Sequence, residues 1–144
     1  MAFEMLTALL ASAPVLIAPD FDQPFKVAVD ASDFGAGAVL LQDRSGVEHP
    51  VCYFSRKFNV HQCRYSTIEK EALALILALE HFEVYVSSSD PVVVYTSTPL
   101  VALSRMKNTN QRLMRWSLFL QAFTLDIRHI RGRDNVLADA LSRS

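Results

Sequence analysis

From Phe25 the chain alternates with a period of two. Phe25, Val27, Val29 and Ala31 fall on one side of an extended segment, and Lys26, Ala28, Asp30 and Ser32 fall on the other. Asp33 and Gly35 mark a tight turn, residues 36–42 read as a second strand, and Asp43 to Gly46 is a second turn signal. Val47 to Arg56 reads as a third strand, with Pro50 pointing to a sheet edge or a strand start. Short turns between successive strands predict an antiparallel meander. The period then changes. Ile68, Ala72, Leu75, Leu79, Phe82 and Val86 recur at helical spacing, and Ser66 with Glu69 three residues on has the form of a capping box. Val92 to Thr96 is a β-branched run that suits a buried strand.

Beyond it, Pro99 opens a brief helix through Leu103, and Asn110 caps a helix over 111–122 that packs through Leu113, Trp116, Leu120 and Phe123. Thr124 to Ile130 alternates as a last strand, and Asp134 caps a final helix, Asn135 to Arg143. The order β-β-β-α-β-α-β-α predicts an α/β fold. Its mixed five-stranded sheet has three antiparallel strands, then two parallel additions through crossovers, with helices packed on it. Residues 1–22 read as a separate lead-in, a short helix over 2–12 followed by an extended stretch broken by Pro14 and Pro19, with the main domain at 23–144.

Length and composition bound this picture. The 144 residues suit one core, and half are apolar, which argues against disorder. The longest apolar run, Ala72 to Leu79, is too short to cross a bilayer, and the N-terminal stretch carries Glu4 without a basic region, unlike a signal peptide. The expectation is an intracellular protein with two reduced thiols, Cys52 and Cys63. His61 and Cys63 form a lone H-x-C pair without the second ligand pair of a zinc site. Charge is uneven. Residues 1–100 hold six Lys/Arg against twelve Asp/Glu, and residues 101–144 hold eight against three. That asymmetry points to a basic face on the C-terminal third, where Arg105, Lys107, Arg112, Arg115 and Arg131 can follow a phosphate backbone, or simply form a solvated helix face.

Three carboxylates stand out. Asp30 ends a strand although strands disfavour Asp. Glu71 lies about 60° from the centre of its helix stripe and can point to the sheet. Asp139 sits among Leu137, Ala138, Ala140 and Leu141. Taken singly, each suits a turn or a surface position. Together they suit a site for a hard divalent cation, because crowded carboxylates repel one another unless a cation holds them.

Val29-Asp30-Ala31-Ser32 with Gly35-Ala36-Gly37-Ala38-Val39-Leu40, then Phe54-Ser55-Arg56-Lys57, Tyr65 through Glu71, Arg115-Trp116, and Asn135 through Arg143 resemble, in this order, the ribonuclease H domain of gypsy-type LTR retrotransposon polyproteins. The similarity runs from about Ala2 to Arg143, and residues 2–22 resemble the end of the connecting region after the reverse transcriptase. The resemblance implies an RNase H-like fold and Mg²⁺-dependent cleavage of the RNA strand of an RNA–DNA hybrid, with Mn²⁺ as an alternative ion and no small-molecule cofactor. It also implies a reverse transcriptase module as partner and no membrane. By resemblance Asp30 bridges two ions, Asp139 helps hold the one that activates water, and Glu71 with a fourth acid holds the other. That fourth position departs from the family. Where the family reads Thr-Asp-His, one further residue and Pro-Leu, this chain reads Thr96-Ser97-Thr98-Pro99-Leu100. Ser97 offers a neutral oxygen to a hard cation, which predicts a weak second ion and slow or absent cleavage. Asp90 is roughly 23 Å back along an extended chain and cannot stand in. A mobile histidine that aids product release in many ribonucleases H has its nearest counterpart in His129, which also reads as an ordinary strand-end residue. The alternatives to a nuclease are a non-catalytic nucleic-acid-binding module and a structural partner of a reverse transcriptase.

Overall fold

The computed structural model describes residues 16–87, 89, 91–96 and 111–129. The helices expected over 2–12, 99–103 and 135–143 lie outside these residues, as do Ser97, Arg105, Lys107, Arg131 and Asp139.

The alternation from Phe25 forms strand β1 (Lys26–Ala31), followed by β2 (Gly35–Arg44) and β3 (Val47–Lys57) as the meander. The β2–β3 turn needs two left-handed residues, and Ser45 (φ 55°) and Gly46 (φ 80°) supply them, the primed turn whose twist matches the flanking strands. Pro50 lies on the edge strand at an irregularity. Leu40 pairs with Cys52 and Leu41 with Pro50, so Val51 is an extra residue on β3. Strands β4 (Val92–Thr96) and β5 (Leu125–His129) add in parallel, giving the order β3-β2-β1-β4-β5. The mixed five-stranded sheet is thus the expected one.

A 3₁₀ turn at Gln62–Arg64, which periodicity does not reveal, leads into helix α1 (Thr67–His81). Ser66 caps it with both halves of a capping box. Residues 71–79 are buried all round, as befits a helix covered on more than one side. Ala72, Leu75, Ala78 and Leu79 pack on Phe25, Val27 and Val29 of the sheet, while Leu73, Ala74 and Leu77 meet Phe58 and Trp116. The helical stripe does not continue unbroken to Val86. The helix stops at Phe82, whose backbone (φ −96°, ψ 14°) leaves the helical region, and a short α2 (Glu83–Val86) follows. Helix α3 (Gln111–Leu120) packs through Trp116 and Phe119.

The stretch before β1 is fastened to the sheet. Gln42, fully buried in β2, accepts from Asp20 N–H at 2.8 Å and donates to the carbonyls of Asp20 (2.7 Å) and Gln23 (3.1 Å). Arg44 donates to the Ala18 carbonyl and Ile17 N–H to the Pro50 carbonyl. Phe21 stacks on Tyr85. Among the described residues no helix is long and apolar enough to cross a membrane.

Candidate active site

Glu71 is anchored to the end of β1 that carries Asp30. Asp30 is the fifth residue of that strand and only 4 % exposed. It shares its face with Ala28, the side of the sheet that packs Val39, Tyr53 and Tyr95 rather than α1. Glu71 comes from the α1 side. The Ser66 cap fixes where the helix starts, so Glu71 is its fifth residue, next to the sheet, and 3 % exposed. Its Oε1 accepts the N–H of Ala31 at 3.2 Å, the peptide immediately after Asp30. Two buried acids from two elements are therefore tied to adjacent residues of one strand.

The neighbouring strands continue this end of the sheet. Across β2 and β3, Asp30 pairs with Gly37 and Gly37 with Ser55. On the other side Val29 pairs with Thr96, and Thr96 with His129. Thr96, the residue before Ser97 in the chain, brings β4 level with Val29, where the described part of this strand ends. His129 is exposed at the same end, two strands from β1. Among the described residues no group of three His, Cys, Asp or Glu side chains is placed to hold a metal ion, His61 and Cys63 included. Of the three carboxylates singled out in the sequence, Asp30 and Glu71 are both buried and Glu71 is bonded to the peptide after Asp30, and Asp139 lies outside the described residues.

Beside Glu71 lies a cavity of about 150 Å³, lined by Ala31, Ser32, Asp33, Thr67, Lys70 and Glu71. Its polar lining comes from the β1–β2 turn and the first turn of α1. Ser32 Oγ accepts from the N–H groups of Phe34 and Gly35, which holds the turn. Lys70 points its ammonium toward Asp33 at 3.8 Å, with a side chain only 12 % exposed. Sequence periodicity gives Lys70 no distinction. Its position just before Glu71 at the start of a helix is the signal that could have found it.

The basic residues expected to follow nucleic acid divide. Arg112 is engaged within the protein. It pairs with Glu69, and its guanidinium lies 3.9 Å from the centroid of the Tyr65 ring, which in turn meets Trp116. Burial pushes the Glu69 carboxyl up, but the hydrogen bonds from Ser66 and Arg112 outweigh it and hold the group below the usual carboxylate range. The Arg112–Glu69–Tyr65 contact thus locks α3 to the first turn of α1, two residues from Glu71. Arg115 is exposed.

Residues 20–123 match the model of the RNase H-like domain found in reverse transcriptase. The retrovirus-related Pol polyprotein from transposon opus of Drosophila melanogaster is 38% identical over 143 residues, which cover 99% of this chain and 14% of that polyprotein. The chain thus spans about a seventh of the relative's length. Among solved structures, the foamy viral protease-reverse transcriptase in complex with an RNA/DNA hybrid superposes with a TM-score of 0.66 at 20% identity, covering 88% of this chain and 18% of that one. LC11-RNase H1 in complex with an RNA/DNA hybrid superposes with a TM-score of 0.59 at 18% identity, covering 81% and 92%. At these identities the two structures speak to the fold.

Proposed function

Because the chain belongs to the RNase H-like domains found in reverse transcriptase, as these occur in retrotransposon polyproteins, we propose that it is a divalent-metal ribonuclease site for RNA–DNA hybrids, weakened at its fourth position. The observation that carries this reading is that Glu71, itself buried, is hydrogen-bonded to the peptide following the buried Asp30 at the end of β1. An all-oxygen donor set of this kind fits Mg²⁺ or Mn²⁺ better than softer ions. Asp30, Glu71 and Asp139 would hold the ions, with Ser97 where a fourth carboxylate is expected. When bound, such ions supply an activated water and charge stabilisation for in-line phosphodiester cleavage.

The chain's own residues contribute position. The Ala31 N–H orients the Glu71 carboxylate, and the sheet backbone orients Asp30, so neither acid has to be ordered when substrate arrives. The hybrids held by the two solved neighbours support RNA–DNA hybrid as the substrate class. A backbone- and 2′-hydroxyl-reading surface is what such a duplex requires. Within a polyprotein the partner would be the reverse transcriptase module.

The test is a cleavage assay on a labelled hybrid with Mg²⁺ or Mn²⁺, comparing the natural chain, Ser97→Asp and Asp30→Asn. Slow or absent cutting by the natural chain, a gain with Ser97→Asp, and loss of that gain on adding Asp30→Asn are expected. Efficient cutting by the natural chain would refute the weakening. Hybrid binding without any cleavage in Ser97→Asp would favour a non-catalytic binding module instead.

A further inference from the structure

The cations of the described residues fall into two groups. Lys26, Lys70, Arg112 and Arg128 each form an ion pair, and Arg44 donates to the Ala18 carbonyl. Arg56, Lys57, Arg64 and Arg115 are exposed and form no ion pair among the described residues. Two of these, Arg56 and Lys57, are adjacent at the end of β3, and no acidic residue occurs between Glu48 and Glu69.

Register places them relative to the site. Asp30, Gly37 and Ser55 form one row across three strands, and Gly35 pairs with Lys57 two positions further on. Side chains two apart share a face, so Lys57 stands on the face of Asp30 and Arg56 on the face of α1, from which Glu71 comes. At about 4.8 Å per strand and 3.4 Å per residue, Lys57 is roughly 12 Å from Asp30 between Cα atoms. That distance equals three to four nucleotides at about 3.4 Å of axis per strand charge.

Phe34 stands in the β1–β2 turn, directly before Gly35, the partner of Lys57. It is 72 % exposed, yet its backbone is held. Its N–H donates to Ser32 Oγ at 3.3 Å, and its carbonyl accepts from Phe58 N–H at 2.7 Å. A large aromatic ring presented to water by a fixed turn beside unpaired cations suits a sugar face next to phosphates.

We infer that Arg56, Lys57 and Phe34 form a binding surface for the sugar–phosphate backbone of nucleic acid, on the β2–β3 side of Asp30. It rests on the proposed hybrid substrate for its ligand but not on cleavage. It would track one strand three to four nucleotides from a phosphate that a divalent ion at Asp30 would bind. The acidic excess of residues 1–100 hides this surface in any count along the chain.

The experiment measures binding of a labelled RNA–DNA hybrid by fluorescence anisotropy between about 50 and 200 mM salt. R56Q/K57Q is expected to weaken binding about tenfold at low salt and to flatten the log–log salt slope by about 1.8, at roughly 0.9 per phosphate contact. Phe34→Ala is expected to weaken binding with the slope unchanged. Arg128→Gln, whose cation already has Asp126, should alter neither quantity. All three variants should melt like the natural chain. An unchanged slope in R56Q/K57Q overturns the inference. So does polyglutamate competing as well as the hybrid through the same two residues, which would assign an acidic protein partner. If R56Q/K57Q flattens the slope while adding Asp30→Asn to Ser97→Asp leaves cleavage intact, the catalytic reading fails and this surface stands. The reverse pattern removes the surface and leaves the site.

Discussion

Glu71 separates a metal-holding role from a packing role. Its Oε1 accepts the Ala31 N–H, so Glu71→Gln keeps an oxygen in place and removes only the charge. A hydrogen bond to a charged group contributes about 2 kcal/mol and a neutral one about 1 kcal/mol, so the exchange costs roughly 1 kcal/mol. Removing a buried charge opposes that loss. Without divalent ions, Glu71→Gln should therefore melt within about 3 °C of the natural chain. Glu71→Ala behaves differently. It strips the acceptor from the Ala31 N–H and opens a void beside a 3 % exposed position. That costs about 3 kcal/mol, or roughly 10 °C. Thermal melting with and without Mg²⁺ is the assay. At about 100 times its dissociation constant an ion stabilises by about 2.7 kcal/mol, so the natural chain should gain roughly 8 °C and both variants little. In the Ser97→Asp background both should lose cleavage by about 10²-fold or more. If Glu71→Gln is as destabilised as Glu71→Ala and Mg²⁺ shifts all three alike, Glu71 is a packing residue and the site assignment falls.

Other consequences are measurable. Gln42→Met keeps the volume but removes three hydrogen bonds to the stretch before β1, costing about 2–4 kcal/mol and making residues 16–23 the first site of proteolysis; an unchanged digestion pattern would show that Gln42 does not fasten this stretch. Gly46→Ala meets nothing within 4 Å of a new Cβ, so only its φ of 80° opposes it, and a loss of about 1–2 kcal/mol in chemical denaturation is expected. Gly37→Val places a branched side chain directly opposite Asp30, and cleavage in the Ser97→Asp background should fall more than stability does. Glu69 titrates below the usual carboxylate range when folded, so its contribution is complete above the ordinary value of about 4.5 and disappears as pH drops through the lower folded value. Glu69→Gln should flatten the acid limb of the stability profile below that pH.

Much of this was legible because the relevant physics is local. Strand alternation, the Ser66–Glu69 cap and the β-branched run before Thr96 each declare themselves within a few residues, and the short turns dictate the meander. Asp30 and Glu71 were visible as acids in apolar patterns, and the approach of Glu71 to the end of β1 follows from where the cap starts α1. What the sequence hid depends on contacts distant along the chain. Gln42 looks like an ordinary polar residue near a strand end until the stretch around Asp20 folds over it. The helical stripe through Phe82 and Val86 suggested one helix, because the apolar spacing survives the break that the backbone makes at Phe82. Arg112 looked free to meet phosphate, yet Glu69, forty-three residues earlier, engages it. Arg56 and Lys57 were masked because charge was counted along the chain, whereas the sheet places them near β1.

The proposed chemistry requires Asp30 and Glu71 to grip a divalent cation. Calorimetric titration of the natural chain, Ser97→Asp and Asp30→Asn with Mn²⁺ tests this without substrate. One ion should bind to the natural chain, two to Ser97→Asp and none to Asp30→Asn. Equal uptake by the natural chain and Asp30→Asn would contradict it.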